Sequence, residues 1–280
     1  MLGIIEHKQP DRIRLQASAG RFNFSFDNAK NRFWIFPAGT VLTSDGVTAI
    51  ATSTAQQPDV TIPVGGGDVW LRANFGGNFS MNDNNTNAGY VGDLADLQGK
   101  ITYLLDLSNC PNVTGSLADL QGKITYLLNL FNCANVTGDL ADLQGKITYL
   151  LSLINCANVT GDLSDLQGKI TYYLDLANCA HVTGDLSDLQ GKITYYLRLA
   201  NCANVTGVYT PVGAGTPTIT ALSNTGLSAT DMDNTLIAYA AATKNNGSFT
   251  ATGMTRTAAS DAAVATLTGR GWSISGITKV

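Results

Sequence analysis

The stretch NLFNCANVTG, residues 129 to 138, decides the fold because it recurs as SLINCANVTG at residues 152 to 161. Three further copies read DLSNCPNVTG from Asp106, DLANCAHVTG from Asp175 and RLANCANVTG from Arg198, so the phrase returns every 23 residues. Self-similarity at a fixed period is typical of stacked supersecondary units, none of which can bury its apolar side alone. The sequence therefore predicts a solenoid.

The strand of each turn can be read from the complete unit, which is GDLADLQGKITYLLSLINCANVT in the copy that begins at Gly138. Apolar residues alternate over residues 149–154, which indicates a strand with Leu151 and Leu153 on its inner face. The side chains between them face outward, and their identities change from copy to copy.

The rest of the turn follows from the remaining apolar residues. We expect Cys156 and Val159 to continue the inward set round a corner, and the chain to turn at Thr160-Gly161. A short helical or irregular segment is then expected to pack through Leu163 and Leu166. One turn of the solenoid closes on itself in this way.

Composition narrows the class of protein. The chain has 280 residues, 44% hydrophobic and 14% charged, with a net charge of −4, which predicts a folded core and no nucleic-acid partner. The start, MLGIIEHKQPDRIRL, lacks the pattern of a signal peptide, and the sequence has no apolar segment of membrane-spanning length. We expect a protein made in the cytoplasm and not inserted in a membrane.

Two columns of constant residues are predicted to be structural. Cysteines at one position per repeat are odd in number and indicate a buried column rather than disulfides, with a soft-metal site as the alternative. The cysteine column comprises Cys110, Cys133, Cys156, Cys179 and Cys202. Asparagines are expected to stack in a ladder that satisfies backbone groups of adjoining turns. The asparagine ladder comprises Asn109, Asn132, Asn155, Asn178 and Asn201.

Charged columns are expected to offset one another, because like charges stacked at the strand spacing repel and facing columns of opposite sign attract. The aspartates are Asp96, Asp119, Asp142, Asp165 and Asp188, and the lysines are Lys100, Lys123, Lys146, Lys169 and Lys192. Calcium on the aspartates is the alternative. The NVT triplets at Asn112, Asn135, Asn158 and Asn204 fit a glycosylation pattern, but repeat chemistry accounts for them.

The pattern LxLxxCxxVTG is matched by Leu105-Asp106-Leu107, Cys110 and Val113-Thr114-Gly115, and again by the four later copies, over roughly 115 residues. It resembles the leucine-rich repeat in its cysteine-containing CxxLTx variant. The sequence departs from that family at the first leucine of LxxLxL, where Thr102, Thr125, Thr148, Thr171 and Thr194 stand. The resemblance implies an α/β solenoid, coiled right-handed, with a parallel sheet on its concave face. A β-solenoid of another cross-section is the alternative.

Outside the repeats the composition changes, which divides the chain into four parts. FNFSF, RFWIF and VTIPV, separated by turn-rich stretches, indicate a small antiparallel β unit, and VWLRANF indicates a strand that leads into the solenoid. The predicted parts are an attachment unit at 1–67, an N-terminal cap at 68–91, five repeats at 92–207 and capping turns at 208–280. Atypical terminal turns cover the open end of a solenoid.

The C-terminal part is predicted to alternate strands with helices. TPTITAL, GSFTATG and WSISGI indicate strands, and SATDMDNTLIAYAAAT and SDAAVATLTGRG indicate the helices between them. Ser228 or Thr230 can serve as N-cap of the first helix and Ser260 of the second, with Gly269 near the end of the latter.

Catalytic signatures are missing from the sequence. It has two histidines, His7 and His181, and one glutamate, Glu6, with no GxSxG, HExxH, Walker loop or GxGxxG after a strand. A cysteine nucleophile would need a thiol that the repeat buries. We therefore expect no enzyme, no cofactor and no metal.

Binding is the function that the variable strand positions favour. Exposed apolar patches often mark interaction sites, and these positions hold Leu, Phe, Ile and Tyr beside Asp and Arg. The alternative is that outward positions simply tolerate change, and a receptor site at the C-terminal tip around Met254 or Trp272 is also open. The predicted ligand-binding residues on the concave face are Leu104, Asp106, Ser108, Leu127, Asn129, Phe131, Leu150, Ser152, Ile154, Tyr173, Asp175, Tyr196 and Arg198.

The C-terminal stretch SDAAVATLTGRGWSISG, the Asn/Thr/Gly-rich repeats and the β-rich N-terminal unit together resemble repeat-bearing fibre proteins of bacteriophages and prophages of Bacteroidetes-like hosts. The resemblance implies a virion protein whose N-terminal unit docks to other virion proteins and forms a homo-oligomer. It also implies a distal part that binds a host-surface protein or glycan. A bacterial cell-surface leucine-rich repeat adhesin and a purely structural virion decoration protein are the alternatives.

Overall fold

The structure is a computed structural model, and it describes residues 93–98, 101–213 and 215–280 together with seven strands between residues 12 and 80. The first six of these strands are antiparallel. They are β1 (Arg12–Ala17), β2 (Gly20–Asn23), β3 (Gly39–Leu42), β4 (Ala49–Ser53), β5 (Asp59–Ile62) and β6 (Gly67–Ala73). β6 pairs with both β1 and β3, β3 pairs with β4, and β2 pairs with β5.

Two features predicted for the N-terminal region have different outcomes. The strand RFWIF and residues 24–26 of FNFSF lie outside the described residues. Residues 69–73 of VWLRANF lie in β6, which belongs to the antiparallel sheet, and residues 74–75 lie outside the described residues. The strand that joins the repeats is instead β7 (Gly77–Ser80), which pairs in parallel with β8 (Ile101–Asp106). Residue alternation indicated a strand but carried no information about its partner.

Each repeat contributes one strand to a long parallel sheet, which has nine strands within the described residues. After β8 the repeat strands are β9 (Leu127–Asn129), β11 (Leu150–Ser152), β13 (Tyr173–Asp175) and β15 (Tyr196–Arg198). They are shorter than the predicted 149–154, because a turn closed by the hydrogen bond from Cys156 N to Leu153 O (3.0 Å) follows directly. As predicted, Leu151 and Leu153 are fully buried.

A second parallel sheet runs along another side of the stack. Its strands are β10 (Thr137–Asp139), β12 (Asn158–Asp162), β14 (His181–Asp185) and β16 (Asn204–Thr206). The turn predicted at Thr160-Gly161 is therefore wrong, because both residues lie inside β12. Glycine is needed at Gly161 for a close approach: a Cβ there would lie 2.6 Å from Asp139 Oδ1 and from Leu140 N of the preceding repeat.

The short helical segment predicted after this strand is confirmed as one 3-10 turn per repeat. These turns are Leu94–Leu97, Leu117–Leu120, Leu140–Leu143, Leu163–Leu166 and Leu186–Leu189. Side chains cap them, a serine at Ser116 and aspartates in the other turns. For example, Asp162 accepts from Ser164 N at 3.0 Å, and Asp165 accepts from Asp162 N at 3.0 Å. The aspartate column thus serves the backbone, and no ion pair joins it to the lysine column within residues 101–213.

Both sheets fix the spacing of the repeats. Hydrogen-bonded strands repeat at about 4.8 Å, and the same spacing holds on two sides of every turn. The stack therefore has no wider side of the kind that bends a leucine-rich repeat array. Between the sheets lies one core of leucine, isoleucine, valine and the five cysteines. The result is a parallel-stranded α/β stack of repeats, compatible with a solenoid.

The C-terminal part alternates strands and helices as predicted. The elements are β17 (Ile219–Ala221), α1 (Ala229–Ala241), β18 (Ser248–Arg256), α2 (Asp261–Gly269) and β19 (Ser273–Lys279), and the three strands extend the long sheet in parallel. Lys244 ties this part to the repeats by donating to the carbonyls of Thr194 and Thr216, each at 2.7 Å. No helix in the described chain is long and apolar enough to cross a membrane.

The two predicted N-caps differ in outcome. Ser228 Oγ accepts from Asp231 N at 3.1 Å, which confirms it as N-cap of α1. Ser260 stands at the N-cap of α2 but caps nothing with its side chain, since its hydroxyl donates to the buried Asp233 carboxylate. Gly269 ends α2 as expected, and the left-handed residue is Gly271, with φ +82°.

Candidate recognition surface

The outward side of the long sheet, called the outer face here, carries the variable positions. Strand pairing aligns them in three rows that run across the repeats. The Leu/Tyr row comprises Leu104, Leu127, Leu150, Tyr173 and Tyr196. The polar row comprises Asp106, Asn129, Ser152, Asp175 and Arg198. The Phe/Ile row comprises Ser108, Phe131, Ile154, Ala177 and Ala200, aligned by backbone bonds such as Asn132 N to Ile154 O at 2.9 Å.

A fourth row, which alternation does not predict, is a column of stacked tyrosines. The tyrosine column comprises Tyr103, Tyr126, Tyr149, Tyr172 and Tyr195. Successive ring centroids lie 4.6 to 4.9 Å apart, with ring planes only 4 to 9° from parallel. The two terminal rings are exposed and the inner ones half-buried. The only signal in the sequence is a tyrosine repeated every 23 residues.

A bulge-like backbone places two successive residues beside each other at the start of the strand. Tyr126 O accepts hydrogen bonds from both Tyr149 N (3.1 Å) and Leu150 N (3.2 Å). In the fifth repeat the rings of Tyr195 and Tyr196 are consequently neighbours, with centroids 6.4 Å apart. Strict alternation would put such residues on opposite faces, and a bulge breaks that rule.

Four of the predicted contact residues are less accessible than a contact surface requires. Leu104, Ser108, Ser152 and Asp175 are buried. Short side chains in rows about 4.8 Å apart are shielded by longer neighbours, which explains why outward-facing positions are not all exposed. The other nine are half-buried: Asp106, Leu127, Asn129, Phe131, Leu150, Ile154, Tyr173, Tyr196 and Arg198.

The electrostatic centre of the outer face is Asp175. Its carboxylate has no exposed surface, accepts from Ala177 N at 3.1 Å and from the Tyr173 hydroxyl at 3.5 Å, and lies 3.7 Å from the Arg198 guanidinium. Burial raises the pKa of Asp175 to about 6, against the lowering effect of the Ala177 amide and Arg198. Asp175 was expected to direct a ligand by its charge, but its carboxylate is buried, whereas the neighbouring Arg198 side chain is 36% exposed.

The cysteine column is buried as predicted. Cys156 Sγ donates to Leu130 O at 3.1 Å, and the three neighbouring thiols bond equivalent carbonyls. Burial raises the pKa of Cys156 to about 12, so the thiol stays protonated at neutral pH. No group of three or more His, Cys, Asp or Glu placed to hold a metal ion occurs in the described part of the chain.

The asparagine ladder is confirmed, but its amides bond each other rather than the backbone. Asn155 Nδ2 donates to Asn132 Oδ1 at 2.5 Å, and Asn178 Nδ2 donates to Asn155 Oδ1 at 2.6 Å. The ladder extends one turn beyond the repeats, to Asn224. Backbone carbonyls are instead bonded by the NVT asparagines, as in Asn158 Nδ2 to Ala134 O at 3.0 Å.

At the C-terminal tip, the alternative site, the two named residues are buried but the strand beside them is largely exposed. Met254 and Trp272 are both buried, and the Trp272 ring packs edge-on against Tyr239 at 5.7 Å. In β19, directly after Trp272, five of the seven residues are exposed, so the tip keeps an accessible surface.

Variation is concentrated on the outer face. The five repeats differ at seven of their 23 positions, and five of these seven show only two residue types. The polar row and the Phe/Ile row are the other two, with four residue types each. Both belong to the outer face.

The fold and this surface define a class of protein, a parallel-stranded repeat stack with one diversified sheet face. Comparison of the chain with protein-family models, with curated proteins and with solved structures found no match.

Proposed function

We propose that this chain is a non-enzymatic recognition protein of the bacteriophage-fibre type, which presents its outer face to a protein or glycan on a host surface. The observation that carries the proposal is the concentration of residue change in two adjacent rows of one face, within repeats that are otherwise nearly constant. Exposed positions of the 3-10 turns and of the second sheet vary as well, but each shows only two residue types: Ala or Ser in the turns, and Asn or His in the second sheet. A right-handed coil like that of the leucine-rich repeat is part of the same proposal. The concave curvature expected from that resemblance is not part of it, because both sheets keep the same spacing between repeats.

Half-buried apolar side chains supply the contact area of the outer face. Phe131, Ile154, Tyr173 and Tyr196 offer large side chains that are already ordered by their neighbours, and Tyr173 and Tyr196 stack at 4.5 Å. Ordered aromatic anchors lose little conformational entropy when they bind, and aromatic and arginine residues carry most of the energy of many interfaces. The Arg198 side chain, 36% exposed, supplies direction.

The test is alanine substitution on the outer face. Phe131→Ala, Tyr196→Ala and Arg198→Ala should each weaken binding to host cells by about 1–3 kcal/mol, measured as a shift in the half-saturating protein concentration. Lys146→Ala is the matched control, because Lys146 is exposed and lies off this face. Asp142 is unsuitable as a control because its carboxylate caps a 3-10 turn. Unchanged binding in all three outer-face variants would refute the proposal.

The remaining parts of the proposal concern attachment. The antiparallel N-terminal strands dock the chain to other virion proteins and make it a homo-oligomer, so that the repeats project away from the particle. A purely structural decoration protein would bind particles and yet leave host adsorption unchanged when removed. A cell-surface adhesin would bind its ligand with no particle at all. Comparing adsorption of particles with and without the protein separates these classes.

A further inference from the structure

We propose that the outer face also pairs with the outer face of a second copy of this chain, with the order of the repeats reversed, about a two-fold axis that runs along β11. The proposal shares with the proposed function the premise that the outer face is an interaction surface. It adds the partner that this face fits in the absence of a ligand.

Charge complementarity within the polar row is the first argument. A two-fold axis along the middle strand places the first repeat opposite the fifth and the second opposite the fourth, while each row faces its own copy. Asp106 then meets Arg198 of the second copy, twice in the pair. Asn129 lies opposite Asp175, which is buried and therefore adds no charge to the interface. Asp106 stands at one end of the polar row and Arg198 at the other, so reversing the order of the repeats brings opposite charges together.

Size complementarity within the two apolar rows is the second argument. In the Phe/Ile row, the large Phe131 meets the small Ala177, and Ile154 meets itself on the axis. In the Leu/Tyr row, the two leucines of the first repeats meet the two tyrosines of the last, and Leu150 meets itself. Phe131 opposite Ala177 is the contact of large against small size, and the other contacts join apolar side chains at the spacing of packed sheets, about 10 Å.

The competing two-fold arrangement is unfavourable. An axis parallel to the stack would place each repeat opposite its own copy, so that Asp106 would meet Asp106 and Arg198 would meet Arg198. Like charges brought together in a desolvated interface repel strongly, and such contacts suppress wrong pairings. Only the reversed order brings Asp106 opposite Arg198.

The face is flat enough for rows to meet along their length. Successive rings of the tyrosine column lie only 4 to 9° from parallel, so this edge of the face changes little in orientation from one repeat to the next. The ring centroids are 4.6 to 4.9 Å apart, which matches the spacing of the strands, so the side chains keep the same distance between repeats as the backbone does.

Interface size makes the pairing weak and reversible. Five strands and the width from the tyrosine column to the Phe/Ile row cover roughly 24 by 17 Å, or about 400 Å² of sheet per copy. Stable interfaces bury about 800 Å² per partner, so we expect association only at high protein concentration. A host ligand can therefore displace the second copy, and the pairing shields the apolar face until it does.

The first experiment uses charge-reversal variants of the full chain in analytical ultracentrifugation. Asp106→Arg places two arginines opposite each other, and Arg198→Glu places two carboxylates opposite each other. Each variant should weaken the concentration-dependent association step by about tenfold or more. An equimolar mixture should recover wild-type association, because Arg at 106 then faces Glu at 198 and the second Asp106–Arg198 contact remains as in the wild type. A mixture as dissociated as its components, or a wild type without such a step, overturns the proposal.

The second experiment does not depend on how well Arg198→Glu folds. Asp106→Cys and Arg198→Cys are mixed under mild oxidation, while the native thiols stay protected in the core. The mixture should form a disulfide-linked dimer, whereas Asp106→Cys alone should not, since its two copies would lie about 19 Å apart. Cross-linking of each variant with itself overturns the reversed order. Host binding of Tyr196→Ala, measured beside self-association of the wild type, keeps the two proposals distinct. If the variant binds host cells less well and the wild type self-associates, both proposals are supported. If the variant binds normally and the wild type self-associates, only the proposed function is contradicted.

Discussion

At the scale of single residues, Asp175 is a carboxylate of the outer face whose burial makes its ionised form unfavourable. Its carboxylate has no exposed surface, yet a single cation, Arg198 at 3.7 Å, lies beside it. Burial disfavours the ionised form, which is why the pKa rises from 3.8 to about 6. A raised pKa in the folded state contributes stability that is complete below pH 3.8 and is lost as the pH rises through about 6. Ionised Asp175 therefore weakens the fold at neutral pH.

Replacing Asp175 with asparagine tests this directly. Asparagine keeps an acceptor for Ala177 N and removes the charge, so Asp175→Asn should raise the free energy of unfolding at pH 7 by about 1–3 kcal/mol relative to wild type, and by little at pH 4. Urea unfolding at both pH values measures the difference. Arg198→Gln should have the opposite effect at pH 7, because it removes a neighbour that lowers the Asp175 pKa. A difference independent of pH would contradict the assignment.

At the scale of elements, the second sheet depends on glycine at its closest contact between repeats. Gly161 has φ +116°, and a Cβ there would lie 2.6 Å from atoms of the preceding repeat. Gly161→Ala should therefore lower the free energy of unfolding by about 2–5 kcal/mol, through backbone strain and overpacking. Gly269→Ala is the matched control, since nothing lies within 4 Å of a Cβ there, at the end of α2. It should be neutral or raise stability by up to about 1 kcal/mol. Chemical denaturation measures the free energy of unfolding of both variants. Equal effects would show that the structure around Gly161 can accommodate a Cβ.

The same elements show what sequence reasoning can reach. Inward leucines, the cysteine column and the strand-helix order of the C-terminal part follow from period and burial, and the structure confirms them. The strand at Asn158–Asp162 was missed because glycine normally signals a turn, and its contact with the preceding repeat is visible only in three dimensions. The tyrosine column was missed because a bulge breaks alternation. The partners of the asparagine ladder were misassigned because the corner residue, Asn155 with φ 62°, aims its amide along the stack rather than at the backbone.

At the scale of the whole molecule, one corner conformation links the repeats to the C-terminal part. Asn155, its equivalents in the other repeats and Asn224 all have positive φ, and Gly253 and Gly276 take the left-handed corner in the last two strands. Glycine ends the ladder because a Cβ at Gly253 would lie 2.3 Å from Asn224 Oδ1. The capping turns are thus variants of the repeat in which a helix replaces the second strand and the 3-10 turn. Because each turn contacts mainly its neighbours, we expect the free energy of unfolding to be a sum of contributions from all turns and from the interfaces between them.

The N-terminal boundary of this stack gives the last prediction. Strand pairing changes between β6, which bonds β1 and β3, and β7, which bonds β8. Removing residues 1–67 would leave β6 without either partner, and unpaired strands promote aggregation. Removing residues 1–76 takes the whole antiparallel sheet and keeps the β7–β8 pair. We therefore expect the shorter deletion to aggregate, and the longer one to keep the repeats folded, to lose docking to particles and to lose any oligomer made by the N-terminal unit. Light scattering, circular dichroism and particle incorporation measure these outcomes. Normal incorporation of the 1–76 deletion would place the attachment site in the repeats or in the C-terminal part.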